Sequence, residues 1–356
     1  MQLGIVGLPK VGKTLLFNIL TRADEETGKF AVSRQTHVGV ARVEDSRLAQ
    51  LRDLYQPKRY TPATVDYVDL PGVTRGDQGP GPDLAELRNV DALMHVVRCF
   101  EDPEIPHSAG SVDPVRDLVD LNLELVLADH DLVSRRLERL AQASKRGLDD
   151  EETRERDLLT DRILPALEAE TPLRELELEP EAAKRLRGFQ LLSAKPQLVA
   201  LNVEEGEVAS PPGAQVLEVV GRETEVIVDS APIEAEISRL DDDDQRELLS
   251  ELGLEEPSTV RLIRAGYHLL GLISYFTVGE DEVRAWTIHR GTAAREAARK
   301  IHSDIARGFI RAEVVAWDDL IEAGSWPACR ERALLHLEGK EYEVRDGDVI
   351  NFRFNV

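Results

Sequence analysis

Gly7-Leu8-Pro9-Lys10-Val11-Gly12-Lys13-Thr14 is the stretch that decides how the other residues of this 356-residue chain are read. It matches the pattern G-x-x-x-x-G-K-[ST]. The apolar run Leu3-Gly4-Ile5-Val6 before it reads as a strand, and Thr14-Leu15-Leu16-Phe17-Asn18-Ile19-Leu20 after it has helical spacing. Glycines at both ends let successive backbone N–H groups curl around a phosphate, and the helix N-terminus adds its positive dipole. Lys13 is expected to bridge β- and γ-phosphates and the Thr14 hydroxyl to bind Mg²⁺. Gly7 through Thr14, with Leu15 behind them, are the candidate phosphate-binding residues.

Working outward, strands are predicted at Thr64–Asp69, Ala92–Val97, Gln197–Asn202 and Glu225–Asp229. Alternation with helices predicts an α/β fold, a doubly wound and mostly parallel sheet whose ligand sits beyond the strand C-termini. Asp69-Leu70-Pro71-Gly72 ends one of these strands. Alone it is an ordinary turn. Downstream of a phosphate loop, Asp69 is expected to hold Mg²⁺ through water and the Gly72 N–H to face a γ-phosphate. Val73 stands where many related hydrolases carry a water-orienting glutamine, so intrinsic turnover is expected to be slow.

Asn202-Val203-Glu204-Glu205 occupies the position of a guanine-reading N-K-x-D segment. Val203 replaces the lysine, and Glu205 is one methylene longer than the aspartate that pairs with guanine. Loss of paired polar contacts weakens guanine selection, so adenine is the expected base. A simple strand-end role for Asn202 is the bland alternative.

The segment from about Val115 to Leu192 differs. Leu118, Leu121, Leu125, Leu132, Leu137 and Leu140 recur at helical intervals, and a break at 145–150 precedes a second run through Leu158, Leu159, Ile163, Leu164 and Leu167. This predicts an α-helical hairpin arm inserted into the sheet domain. After Tyr275, short strands at Phe276–Val278, Val283–Ile288, Glu341–Val344 and Val349–Phe354 surround a helix from Ala293 to Arg307. The expected division is 1–125 with 190–274 as nucleotide-binding domain, 126–189 as arm and 275–356 as a small mixed domain.

With 44 Lys+Arg against 67 Asp+Glu the formal net charge is −23. This argues against a general nucleic-acid coat, and no DNA partner is expected. Residues 275–356 carry 12 Lys+Arg and 15 Asp+Glu, which leaves room only for a local basic patch. The run Asp241–Asp244 reads as a helix entrance, where carboxylates favour the dipole. Cys99 and Cys329 have no metal spacing and fit a reducing compartment. No long apolar run predicts a membrane span, and Met1–Val6 lacks a basic leader, so a cytoplasmic location is expected.

The chain resembles the YchF subfamily of Obg-related P-loop proteins, the Obg-like ATPases. The specific stretches are Val96-Val97-Arg98-Cys99-Phe100-Glu101-Asp102, Ala231-Pro232-Ile233-Glu234-Ala235-Glu236, Glu282-Val283-Arg284-Ala285-Trp286-Thr287-Ile288, Gly308-Phe309-Ile310-Arg311-Ala312-Glu313-Val314 and the end from Asp346 to Val356. The resemblance implies a ubiquitin-like (β-grasp) TGS domain at 275–356, ATP preferred over GTP, and association with the ribosome or ribosomal RNA. It also implies that Ser230 and Ala231, with Pro232 beside them, form the loop closing over the base, and that His107 acts near the γ-phosphate. Three departures stand out. Lys10 replaces a usual asparagine, Val32 a usual cysteine, and the glycine-rich stretch 76–82 is altered. Ser33 is the candidate replacement for a metal-facing threonine. A GTPase or dual-nucleotide hydrolase, and a non-hydrolysing nucleotide-sensing ribosome or RNA scaffold, are the alternative functions.

Overall fold

The strand before the phosphate loop, β1 (Gln2–Val6), lies inside a six-stranded sheet in the computed structural model, which describes residues 1–23, 36–71, 84–145, 147–221 and 224–355. The chain continues through β2 (His37–Arg42), β3 (Arg59–Thr61), β4 (Thr64–Asp69), β5 (Ala92–Arg98), β6 (Gln197–Asn202) and β7 (Val226–Asp229). The first sheet has the order β2-β4-β1-β5-β6-β7, and the β4-β1-β5-β6-β7 pairs are parallel. Its strand order reverses at β1, which puts the phosphate loop at the topological switch point. Every residue of β5 and β6 is buried, as expected for strands covered on both faces.

Two compact units are present: 1–39 with 66–262, and 40–65 with 263–356. Within the first, the long helix Pro114–Ser144 starts at Asp113, whose carboxylate accepts from Arg116 N. The returning helix Asp150–Leu158 opens on a capping box between Asp149 and Glu152, then continues through a π-turn at Leu159–Ile163 into Leu164–Glu168. Val126, Val133 and Leu140 on one leg pack in a common core with Leu159, Ile163 and Leu167 on the other. At roughly 1.5–3 kcal/mol per buried aliphatic side chain, this seam outweighs the partly exposed Arg136–Glu155 pair, worth about 1 kcal/mol at most. Asp241 caps its helix by accepting from Asp243 N and Asp244 N, as the acidic run predicts.

The second unit carries β8 (Leu272–Thr277), β9 (Glu282–His289), β10 (Phe309–Ala316), β11 (His336–Glu338) and β12 (Asp348–Phe354), ordered β11-β10-β12-β8-β9-β3. β8 and β12 run parallel at the centre, with antiparallel partners β9 and β10 outside them. Ala294, Ala297 and Ala298 of the helix Ala294–Ile301 pack onto Ile273, Tyr275, Val314 and Ile350. This is the β-grasp order, with β3 added in parallel to β9. Two sequence expectations need correction here, and one strand has no expectation attached to it. Glu341–Val344 is not a strand and makes only an isolated bridge from Glu343 to Ala293. The helix expected to run to Arg307 breaks at His302, which is extended and caps a separate turn, Ser303–Arg307. The motif at 309–314 is itself a strand, with Ala312 and Val314 buried in the core.

Residues 40–65 precede this unit by some 200 positions yet fold with it. Arg47 carries much of the connection. Its guanidinium donates to Asp45 Oδ2 (2.8 Å) and to Asp346 Oδ2 (2.9 Å), and lies 5.4 Å from the centre of the Phe276 ring. Asp346 in turn accepts from Ser274 N. Arg47→Ala is therefore expected to lower the stability of this unit by about 2 kcal/mol, and Arg47→Lys to recover less than half, because lysine cannot serve two carboxylates with one planar fork. All three tryptophans (286, 317 and 326) lie here, so denaturant unfolding followed by tryptophan fluorescence reads the change.

Candidate nucleotide-binding site

Between β1 and the helix Lys13–Thr21 the backbone turns three times through positive φ, at Gly7 (151°), Lys10 (64°) and Gly12 (99°). A Cβ on Gly7 would stand 2.4 Å from Val96 O, and one on Gly12 2.4 Å from Asn202 Nδ2. Both glycines are required by conformation and by neighbour. Lys10 holds the left-handed conformation with a full side chain, at a cost of about 1 kcal/mol.

Lys13 is buried, and its ammonium donates to Gly7 O (3.1 Å) and Leu8 O (2.7 Å). Burial pushes its pKa from 10.5 down to about 8, opposed by Asp69. Thr14 Oγ1 donates to Asp69 Oδ2 at 2.7 Å, which joins the start of the loop helix to the end of β4. Lys13, Thr14 and Asp69 are thus one constellation, as their spacing predicts. Gly72 and Ser33, with Val73, lie outside the described residues.

Asn202 is buried at the end of β6. Its Nδ2 donates to Val11 O (2.9 Å) and its Oδ1 accepts from Ala231 N (3.1 Å). Ser230 and Ala231 are almost fully buried, and Pro232 is the second residue of the helix Ala231–Ile237. Val203 sits in an apolar cluster with Val97, Leu118, Leu201 and Val228, while Glu205 is exposed at the start of a short turn. The segment expected to read the base therefore divides its labour. Asn202 ties backbone to backbone, Val203 packs, and Glu205 faces outward.

By residue type alone, His107 in His107-Ser108-Ala109-Gly110 reads as a solvated loop histidine, but the structure encloses it. Its side chain is 4% exposed, Nε2 lies 2.9 Å from Asp117 Oδ2, and Nδ1 accepts from Ala109 N at 3.1 Å. The carboxylate of Asp117 also accepts from Arg116. Arg98, fully buried at the end of β5, donates to Phe100 O and Ile105 O and shapes the loop that leads to His107. Arg98 and Asp117 escaped sequence reasoning as site-shaping residues. Arg98 is in a quoted motif, but its partners are backbone carbonyls that carry no residue signature.

Residues 2–130 match the family model described as "50S ribosome-binding GTPase", and residues 272–355 the YchF GTPase C-terminal model described as "Protein of unknown function (DUF933)". The chain is 44% identical over 363 residues to the "Ribosome-binding ATPase YchF" of Bacillus subtilis (strain 168), covering 99% of both chains. Its identity to the protein of the same name from Haemophilus influenzae is 42% over 360 residues, again 99% of each. The solved "Structure of the Schizosaccharomyces pombe YchF GTPase" is 29% identical, with a TM-score of 0.86 over 99% of this chain and 97% of that one. The chain belongs to the YchF family.

Proposed function

We propose that this chain is a Mg²⁺-dependent ATP-binding switch that hydrolyses ATP slowly and associates with the ribosome. The observation that carries the reading is the Lys13–Thr14–Asp69 constellation on a phosphate loop held by Asn202. Lys13 keeps a proton at neutral pH and would exchange the Gly7 and Leu8 carbonyls for phosphate oxygens, a stronger charge-assisted pairing. The loop N–H groups and the helix N-terminus orient the phosphates.

Thr14 and Asp69 offer hard oxygens 2.7 Å apart, a donor set that fits Mg²⁺. Among the described residues no group of three or more His, Cys, Asp or Glu gathers that could hold a metal ion elsewhere. Mg²⁺, held by Thr14 and Asp69 with Ser33 proposed as a further ligand, would neutralise charge on the terminal phosphates. Gly72 is proposed to contact the γ-phosphate. His107 can serve the attacking water only after releasing Asp117 and Ala109, which supports a low basal rate. Glu205 in place of an aspartate favours adenine. The word GTPase in the name of the S. pombe protein keeps dual nucleotide use as the second reading.

For the ribosome, the names of the bacterial relatives supply the partner, and a groove on the helical arm supports ribosomal RNA. About 530 Å³ in volume, it is lined by Arg88, Arg135, Arg136, Arg139 and Phe189. Arg88 is committed to Asp129, Arg136 to Glu155 and the exposed Arg135, at 3.7 Å, to Asp131, which also lines the groove, while Arg139 is exposed. Such a combination of cations and a ring fits a nucleic-acid backbone. A cytoplasmic location follows from this reading. Among the described residues no helix is long and apolar enough to cross a membrane.

Separate titrations with Mg-ATP and Mg-GTP test the base preference. Tighter GTP binding would sink the adenine assignment. Glu205→Asp is expected to shift preference toward GTP roughly tenfold, about 1.4 kcal/mol. It is a cleaner test than restoring lysine at 203, which would bury an ammonium in the apolar cluster.

Lys13→Met is expected to weaken nucleotide binding about a hundredfold, some 2.7 kcal/mol, while raising stability at pH 7. The sign follows from a folded pKa lowered to about 8 from 10.5. The unfolded chain holds the proton more tightly, so the contribution of Lys13 to stability is lost as pH falls through 8 and regained toward 10.5. The stability gap between variant and parent should narrow between pH 8 and 10, as read by thermal unfolding.

Replacing both Arg135 and Arg139 by alanine should weaken ribosome binding about tenfold near 100 mM salt. It should also reduce the salt slope by about 2, with nucleotide affinity unchanged. Sedimentation with ribosomes checks this, and an unchanged slope would remove the groove from the reading.

A further inference from the structure

Beyond the phosphate loop, the end of β7 holds a group of carboxyls that the switch chemistry does not use. Asp229 is 0% exposed, and Glu234, on the helix Ala231–Ile237, is 1% exposed. Ser258, fully buried at the start of the helix Ser258–Leu269, stands between them. Its Oγ is 2.6 Å from Asp229 Oδ1 and 2.6 Å from Glu234 Oε1. One hydroxyl carries one hydrogen, so it donates to one carboxyl only. The second oxygen can approach to 2.6 Å only if it brings a hydrogen of its own.

The proton can be assigned. Glu234 already accepts from Ser258 N (2.7 Å) on Oε1, and from Thr259 N (3.3 Å) and Thr259 Oγ1 (2.6 Å) on Oε2. Such a set of donors holds the ionised form. Asp229 has no comparable set, and its Oδ2 is buried without a hydrogen-bond partner among the described residues. The arrangement is Asp229 Oδ1–H to Ser258 Oγ, and Ser258 Oγ–H to Glu234 Oε1. Consistent with this, burial first and Glu234 second push the Asp229 carboxyl from 3.8 up to about 7, against Ser258, Arg261 and the Ser230 backbone.

We propose that Asp229 is a positioning residue for nucleotide binding: it keeps a proton in the folded protein, hydrogen-bonds through Ser258 to Glu234, and thereby fixes the turn at Ser230 and Ala231. This rests on the nucleotide reading of the site. Ala231 N is the group that Asn202 Oδ1 binds, and Asn202 Nδ2 holds Val11 of the phosphate loop, so the position of Asp229 reaches the loop in three bonded steps. The charged groups facing Asp229 are Glu234 from its own following helix and Arg261 from the helix Ser258–Leu269. The neighbouring strand β6 presents neutral Asn202.

Loss of the proton leaves two carboxylates around one hydroxyl. Arg261 offers the alternative, since its Nε is likewise buried with no partner among the described residues while Nη2 holds Val228 O. An ionised Asp229 turning toward Arg261 carries Ser230 and Ala231 with it. The folded-state pKa is raised, so the proton and the ordered turn are kept on the acid side and lost as pH rises through about 7.

The test compares the full-length chain with Asp229→Asn, which stays neutral and keeps an N–H for Ser258. Binding of a fluorescent ATP analogue with Mg²⁺ is measured from pH 5.5 to 8.5. The nucleotide's own titration is common to both proteins. Wild-type affinity should fall about tenfold more than that of the variant across this range, and superimposable profiles would overturn the proposal. Thermal unfolding should show the wild type losing stability relative to Asp229→Asn over the same range, and a constant gap would overturn it as well. Should the variant not fold, the ¹³C carboxyl resonance of Asp229 in the wild type decides: a midpoint near 7 is expected, and one near 4 removes the proton. A wild type that binds no nucleotide at any pH would overturn the reading of the site and the positioning role together, while the carboxyl titration still reports the proton.

Discussion

The carboxamide of Asn202 donates to Val11 O and accepts from Ala231 N, and a side chain on Gly12 would collide with it. Three segments distant in sequence meet at this one planar group: the phosphate loop, the end of β6 and the turn after β7. Each of its hydrogen bonds is worth about 1 kcal/mol net, but a buried partner left unpaired costs 1–3 kcal/mol. The carboxamide therefore contributes less through the bonds it makes than through the alternatives it closes. With it in place the loop cannot drift from the sheet, and the glycine beneath it cannot change.

This arrangement explains how a chain of net charge −23 can offer a site for polyphosphate. At physiological salt the Debye length is about 8 Å, so most of the acidic surface is screened from the loop. What a phosphate would meet at the proposed site is local: the loop N–H groups, the start of the Lys13–Thr21 helix and the buried Lys13 ammonium. The cost of burying that ammonium is visible in its lowered pKa, and Asp69 offsets part of it. The same logic governs the arm, where arginines collect along one groove of an acidic protein. Total charge describes solubility and long-range repulsion. Binding is decided within a few ångströms.

Features carried by local rules were legible in the sequence. The phosphate loop, the strands Thr64–Asp69 and Gln197–Asn202, the break between the arm helices and the acidic cap at Asp241 all follow from glycine placement, burial and capping over a few residues. Features set by distant partners were not. Nothing near Arg47 announces that Asp346 awaits it, so the membership of residues 40–65 in the second unit has no local sign. Phe309–Ala316 alternates as a strand should only over Arg311–Val314, because a bulge between Phe309 and Arg311 and the apolar run Val314–Ala316 cut that rhythm short on either side. His107 reads as a solvent-facing residue until Asp117 of the next helix encloses it.

Lys10 brings these two kinds of information together. Resemblance to the family marks it as unexpected, because asparagine is usual there, and the loop geometry supplies a reason that does not involve the side-chain chemistry. The backbone at this position has φ 64°, a region that asparagine enters more readily than lysine because its short amide can bond locally. The demand at position 10 is thus first conformational. Any side chain there must accept that conformation before its head group can matter. Lysine accepts it at about 1 kcal/mol and adds a positive charge to a loop already built to attract phosphate. It loses the acceptor oxygen that an asparagine would offer a monovalent cation. Lysine at position 10 thus offers no oxygen ligand for a cation, while the backbone around it is fixed by Gly7, Gly12 and the Asn202 carboxamide.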